Sequence, residues 1–334
     1  MERKNTWHSY TEEDIEKLES LASDYKEYLT GGKTERECVK ESVKLAQRAG
    51  YEDLEHFIAE NKQLKPGDKV YRTWMDKTIV LFQIGEKPME DGLNILGAHI
   101  DSPRMDLKQN PLYEDTEMVL LDTHYYGGVK KYQWVTLPLA LHGVVIKKDG
   151  TTIEISIGEK DTDPVVGVTD LLIHLSAQQL EKKAKVVIEG EDLNVLIGSR
   201  PVKGEEKDAV KKEMLRILEQ EYGIEEEDFL SAEIEVVPAG PARDFGLDRS
   251  MIMSYGQDDR VCAYTSLAAM LNVQDARRTT CCILVDKEEI GSVGATGMHS
   301  RFFENTLAEI IALTGEYSEL RLRRILQNSH MLSS

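Results

Sequence analysis

The stretch Cys281-Cys282-Ile283-Leu284-Val285-Asp286-Lys287-Glu288-Glu289-Ile290-Gly291-Ser292 decides the fold class. Its first five residues are apolar without a break. That is too short for a helix and suits a strand buried on both faces, as in a parallel sheet. Helical patterns flank it, Asp259 to Leu271 before and Arg301 to Thr314 after, and a second short apolar run, Leu93 to Ala98, stands upstream. Buried strands alternating with helices are the α/β signature, and ligands of such sheets gather beyond the carboxyl ends of the strands. The two glutamates therefore sit where chemistry is done, although a glutamate pair in a loop can equally be only a loop.

Working outward, the first fifty residues read as two helices. Thr11 with Asp14 and Thr34 with Glu37 are capping-box starts, and Gly31-Gly32 and Gly50 are stops. Lys69 to Trp74 and Thr78 to Gln83 read as a hairpin. Tyr132 to Gly158 alternates in the β manner around an Asp149-Gly150 turn, and Glu205 to Tyr222 reads as a helix. Pro238 to Asp248, rich in Pro and Gly, is the best boundary. The expected organisation is a catalytic α/β domain in two parts, 1–109 and 246–334, interrupted by a β-rich insertion at 110–245.

Composition excludes several classes. The chain has 334 residues, 41 Lys+Arg against 60 Asp+Glu, and a net charge of −19. Nucleic acid and anionic membrane surfaces need a basic footprint, so neither is expected as a partner. No apolar run approaches a membrane span, and Met1 to Tyr10 has no signal-peptide core. The four cysteines, two of them adjacent, read as reduced thiols of a cytoplasmic protein. Phosphate-binding loops, dinucleotide fingerprints and a nucleophile elbow are missing from the sequence.

Three clusters follow element ends. In His99-Ile100-Asp101, residues i and i+2 of an extended chain point the same way, so Asp101 can orient the imidazole as a metal ligand. An ordinary strand-end histidine beside a solvated aspartate fits the same letters. Asp258-Asp259-Arg260 opens a helix and reads either as a cap or as a metal carboxylate. Of Glu288 and Glu289, one can ligate a metal while the other holds a water, as a base beside a metal-acidified water does. Together they suggest a carboxylate-bridged two-metal hydrolase, with Zn, Mn or Co all compatible.

Five ordered segments carry a closer likeness: Gly97-Ala98-His99-Ile100-Asp101-Ser102-Pro103-Arg104, Thr123-His124-Tyr125-Tyr126-Gly127-Gly128, Lys130-Lys131-Tyr132-Gln133-Trp134, Tyr255-Gly256-Gln257-Asp258-Asp259-Arg260 and Glu288-Glu289-Ile290-Gly291-Ser292. In these the chain resembles the bacterial branch of the aspartyl aminopeptidase family of zinc metallopeptidases. The resemblance implies a zinc-peptidase-like α/β catalytic domain interrupted by a β-rich dimerisation domain, with dimers assembling into a dodecamer. It implies two Zn2+ per subunit, with Co2+ or Mn2+ as substitutes, and peptide substrates with a free N-terminus. It gives His99 as a ligand of one zinc, Asp101 as the acid that orients it, and Asp259, rather than Asp258, as the bridging carboxylate. Glu288 is then the general base and Glu289 a ligand of the other zinc. His174 is the histidine that reaches a neighbouring subunit's site, where the residues alone read as a buried helix histidine. Two further family ligands have no counterpart up to Ser334, so the expectation is a truncated form with impaired activity. A catalytically dead oligomeric scaffold and another two-metal amidohydrolase are the alternatives.

Overall fold

A computed structural model describes residues 4–334. Met1, Glu2 and Arg3, the start of the stretch read as having no signal core, lie outside them. In chain order the elements are α1 (Glu12–Gly31), α2 (Glu35–Arg48), β1 (Glu52–Asp53), α3 (Leu54–Glu60), β2 (Lys69–Trp74), β3 (Thr78–Gln83) and β4 (Asn94–His99). There follow β5 (Arg104–Asp115), β6 (Met118–Tyr126), β7 (Leu139–Ile146), β8 (Thr152–Ile157), α4 (Ala177–Leu180), β9 (Val195–Gly198), α5 (Ala209–Tyr222) and β10 (Ala232–Pro238). The last are β11 (Arg243–Phe245), β12 (Met251–Met253), α6 (Gln257–Leu271), β13 (Thr280–Val285), α7 (Phe302–Thr314), α8 (Glu319–Asn328) and β14 (His330–Ser333).

The chain divides into two compact units. The first runs to Asp101 and resumes at Pro241, apart from Glu289–Gly291; the second comprises Ser102–Gly240 and that tripeptide. The changes of unit thus precede the expected 109/110 and 245/246 boundaries. The reason is that β5 begins at Arg104 and pairs with β6 in the second sheet from that residue on, with a register shift between Leu107 and Leu112.

The first unit is built on a six-stranded sheet of order β1-β2-β3-β13-β4-β14. Strand β13 runs antiparallel to β3 and parallel to β4, in a register that sets Val285 opposite His99. Its apolar run is explained by burial on both faces. Cys281 and Ile283 join one core with Val80, Phe82 and the α7 residues Leu307 and Ile310. Cys282 and Leu284 join another with Ile79, Leu81 and the α6 residues Tyr264 and Leu267. Each such fully buried side chain contributes roughly 1.5–3 kcal/mol. Because β4 and β13 are parallel, both end at the same edge, and this brings His99 and the loop after Val285 together. The expected hairpin is β2 and β3, and α1 and α2 both start with complete capping boxes at Thr11 and Thr34. Gly92 has φ +88°, and a Cβ there would meet the Asn328 carbonyl oxygen at 2.0 Å, so only glycine lets α8 end against this turn.

The second unit holds a six-stranded sheet of order β8-β7-β10-β5-β6-β9, antiparallel throughout. Gly150, at φ +86°, makes the expected β7–β8 turn. The helix expected from Glu205 begins four residues later, as α5, and closes on Gly223 in the left-handed region. Between β8 and β9 the chain carries a segment with Leu171, Leu172, Ile173 and Leu175 at 55–70% exposure.

Candidate metal centre

The site in the first unit is made by the ends of β4 and β13 and the start of α6. His99, the last residue of β4, is 6% exposed. Its Nδ1 lies 3.0 Å from the Asp101 backbone carbonyl and 3.3 Å from Asp101 Oδ1. A proton on Nδ1 therefore donates to Asp101, which leaves the Nε2 lone pair facing outward. Asp101 is fully buried, and its Oδ1 also accepts the Glu288 N–H at 3.2 Å. One carboxylate thus orients the imidazole and anchors the loop that carries the glutamate.

Two carboxylates converge on the free nitrogen. Asp258 Oδ1 and Glu288 Oε2 each lie 3.6 Å from His99 Nε2. Ligands about 2.0–2.2 Å from a tetrahedral zinc stand about 3.4 Å apart, so each oxygen is spaced from the nitrogen as one zinc ligand is from another. An imidazole with carboxylates suits zinc and its neighbours rather than the all-oxygen shells of calcium or magnesium. On donor chemistry and on spacing, the residues fit the zinc that the resemblance implies. With no metal, burial disfavours a charged His99, but the Asp101 hydrogen bond and charge outweigh it and push the imidazole up to about 9.

The Glu288 loop is fastened behind the site. Asp286 is fully buried and accepts the Lys287 N–H at 2.8 Å and the Thr296 hydroxyl at 2.5 Å. The Thr296 carbonyl in turn accepts the Thr78 hydroxyl at 2.6 Å. Burial, with the charge of Glu35 adding to it, raises the Asp286 carboxyl to about 6.

Of the six residues expected at the site, the first unit brings together His99, Asp101 and Glu288. Asp259 does not reach the imidazole nitrogen. It is buried and its Oδ2 accepts the Ser334 hydroxyl, so it acts on His99 only through its charge. Asp258 takes the place beside Nε2. The reason lies in the backbone: Asp258 and Asp259 have non-helical dihedrals, with Asp258 extended at φ −89°, ψ 112°, and neighbouring side chains of such a chain diverge. Residue types alone offered two adjacent aspartates, and the choice of Asp259 came from the resemblance. Glu289 belongs with the second unit, where a Cβ on Gly127 would come within 2.9 Å of its Oε2. His174, also in the second unit, lies exposed in a 3-10 turn, Ile173–Leu175, and not in a buried helix.

The family model described as aminopeptidase I zinc metalloprotease (M18) matches residues 28–334. A probable M18 family aminopeptidase 1 of Clostridium acetobutylicum is 59% identical over the whole chain, which spans 72% of that protein. Another, of Thermotoga maritima, is 45% identical over the whole chain, again 72% of the relative. Among solved structures, the M18 aminopeptidase of Thermotoga maritima superposes with a TM-score of 0.93 at 45% identity, over 100% of this chain and 72% of that one. Aminopeptidase I of Clostridium acetobutylicum superposes with 0.89 at 57% identity, with the same coverage. With an α/β fold shared with these enzymes and a family match over most of its length, the chain belongs to the M18 family of zinc aminopeptidases.

Proposed function

We propose that this M18 aminopeptidase binds zinc through His99 Nε2 and Asp258, as one of two zincs per subunit, with Glu288 as the general base, and releases N-terminal residues from peptides. The convergence of Asp258 Oδ1 and Glu288 Oε2 on His99 Nε2, with Nδ1 held by Asp101, carries this reading. When bound, zinc acidifies a water and polarises a carbonyl. The protein's own groups do the rest. Asp101 keeps His99 in the ligating tautomer and fixes the Glu288 backbone. Glu288, half exposed, accepts the proton of the attacking water and returns it to the departing amine. Asp258 takes the ligand role expected of Asp259, with Asp259 as a second negative charge behind it. The free amine of the substrate is held by the carboxylates, and this restricts cleavage to the terminus.

The protein is further proposed to form homo-oligomers and to work in a reducing, cytoplasmic setting. The exposed apolar segment from Leu171 to Leu175 supports the first, with a second copy of the chain as its occupant and His174 as the residue presented to it. The unbridged thiols Cys38, Cys262, Cys281 and Cys282 support the second. Among the described residues no helix is long and apolar enough to cross a membrane.

The test is hydrolysis of aminoacyl-nitroanilides by this 334-residue chain, with bound metal counted by elemental analysis. Chelator-sensitive turnover, absent with N-acetylated substrates, is expected. Turnover of acetylated substrates would show an amidohydrolase instead, and a folded oligomer without zinc or turnover would show a scaffold.

A further inference from the structure

Arg260 is used by nothing described so far, and its placement is unusual. It stands two residues after Asp258 in the first turn of α6 and is 1% exposed. Its guanidinium forms no ion pair among the described residues. Nε donates to the Ile100 carbonyl at 3.2 Å and Nη2 to the Lys33 carbonyl at 3.0 Å, while the group lies over the Tyr255 ring, 5.2 Å from its centroid. The remaining nitrogen, Nη1, is buried without a hydrogen-bond partner and is packed against Gly256, where a Cβ would meet it at 2.2 Å. A buried cation with no carboxylate partner costs stability, and an apolar side chain of equal length would fill the same space at less cost.

What the guanidinium holds explains it. Ile100 is the central residue of His99-Ile100-Asp101. Its N–H donates to the Val285 carbonyl at 2.9 Å, and its carbonyl is taken by Arg260. The peptide between ligand and orienting acid is thus gripped on both sides, from the end of β13 and from the start of α6. The second arm of the fork ties the same point to Lys33, in the turn between α1 and α2. Rigid placement of this kind is what a metal ligand set needs from its surroundings.

We infer that Arg260 is a positioning residue of the metal centre: by fixing the Ile100 carbonyl it sets His99 and Asp101 relative to Asp258. This rests on the zinc-binding reading above. A lysine reaches one carbonyl and not both, because it lacks the planar fork. The experiment compares the unaltered chain with Arg260→Met, Arg260→Lys and Leu307→Ala, the last a core truncation in α7 remote from Arg260. Zinc affinity is measured by competition with a chromophoric chelator, and exchange of the Ile100 amide by hydrogen–deuterium exchange on the metal-free proteins.

Arg260→Met is expected to weaken zinc binding about 10–100-fold, with Arg260→Lys between it and the unaltered chain. Both should exchange the Ile100 amide at least about tenfold faster. Leu307→Ala should melt earlier and yet bind zinc within about twofold. Zinc affinity and amide exchange unchanged in Arg260→Lys would overturn the inference, and so would an equal loss of zinc in Leu307→Ala. If Arg260→Met does not fold, the lysine variant decides. If the unaltered chain binds no zinc, the metal reading fails on its own, and amide exchange still decides whether Arg260 holds Ile100.

Discussion

Replacing Asp101 by Asn removes one charge and keeps the shape, so it isolates what the carboxylate does. In the native protein its Oδ1 stands 3.3 Å from His99 Nδ1 and 3.2 Å from the Glu288 amide nitrogen, with no exposure to water. At an effective dielectric of about 20, a unit charge pair at that separation is worth about 5 kcal/mol, which bounds the effect on a fully charged ring from above. A neutral, metal-ligating imidazole carries only part of that charge. The relevant scale is then the 10–100-fold loss seen when the orienting partner of a metal-bound histidine is altered, about 1.4–2.7 kcal/mol. Asn can also turn its NH2 toward Nδ1, which would favour the tautomer that hides the lone pair from the metal. Asp101→Asn is therefore expected to remain folded, to bind zinc 10–100-fold more weakly and to lose kcat rather than gain KM. Chelator competition gives the affinity and nitroanilide hydrolysis the rate constants. Zinc affinity within twofold of the unaltered chain, in a folded variant, would refute the orienting role.

Leu307→Ala, at a fully buried position of α7, should cost about 2–5 kcal/mol in urea unfolding, because a cavity opens between helix and sheet. Thr34→Ala removes the hydroxyl that accepts the Glu37 N–H and should lower stability by about 1 kcal/mol; no change on thermal melting would mean the cap is redundant. Glu90, at the turn before β4, accepts Arg321 Nε of α8 at 2.7 Å, and this hydrogen bond holds its carboxyl below the usual 4.5. A carboxyl lowered by folding stabilises the protein above its unfolded value, and the gain disappears as pH falls through the folded value. Glu90→Gln should thus be less stable at pH 7 by about 0.2–1 kcal/mol, the range of exposed pairs. The gap should close in acid below pH 4.5, and a gap that widens there would contradict the pairing.

The sequence by itself determined the α/β class, because a five-residue apolar run between helical patterns can satisfy its faces only inside a sheet covered on both sides. It also placed His99 and Glu288 at strand ends, and it located the two capping boxes through side chains that contact their own neighbours. These are local properties, set by periodicity and by residues within a few positions. The structure alone decided that β4 and β13 run parallel with Val285 opposite His99, which turns two distant strand ends into one site. It set Asp258 Oδ1 within 3.6 Å of His99 Nε2, since dihedrals and not residue types aim neighbouring side chains. It began β5 at Arg104, just after the change of compact unit that follows Asp101, and it set the lone guanidinium of Arg260 against Ile100 and Lys33. Each of these depends on contacts between segments far apart in the chain, and such contacts leave no mark on the spacing of residues along it.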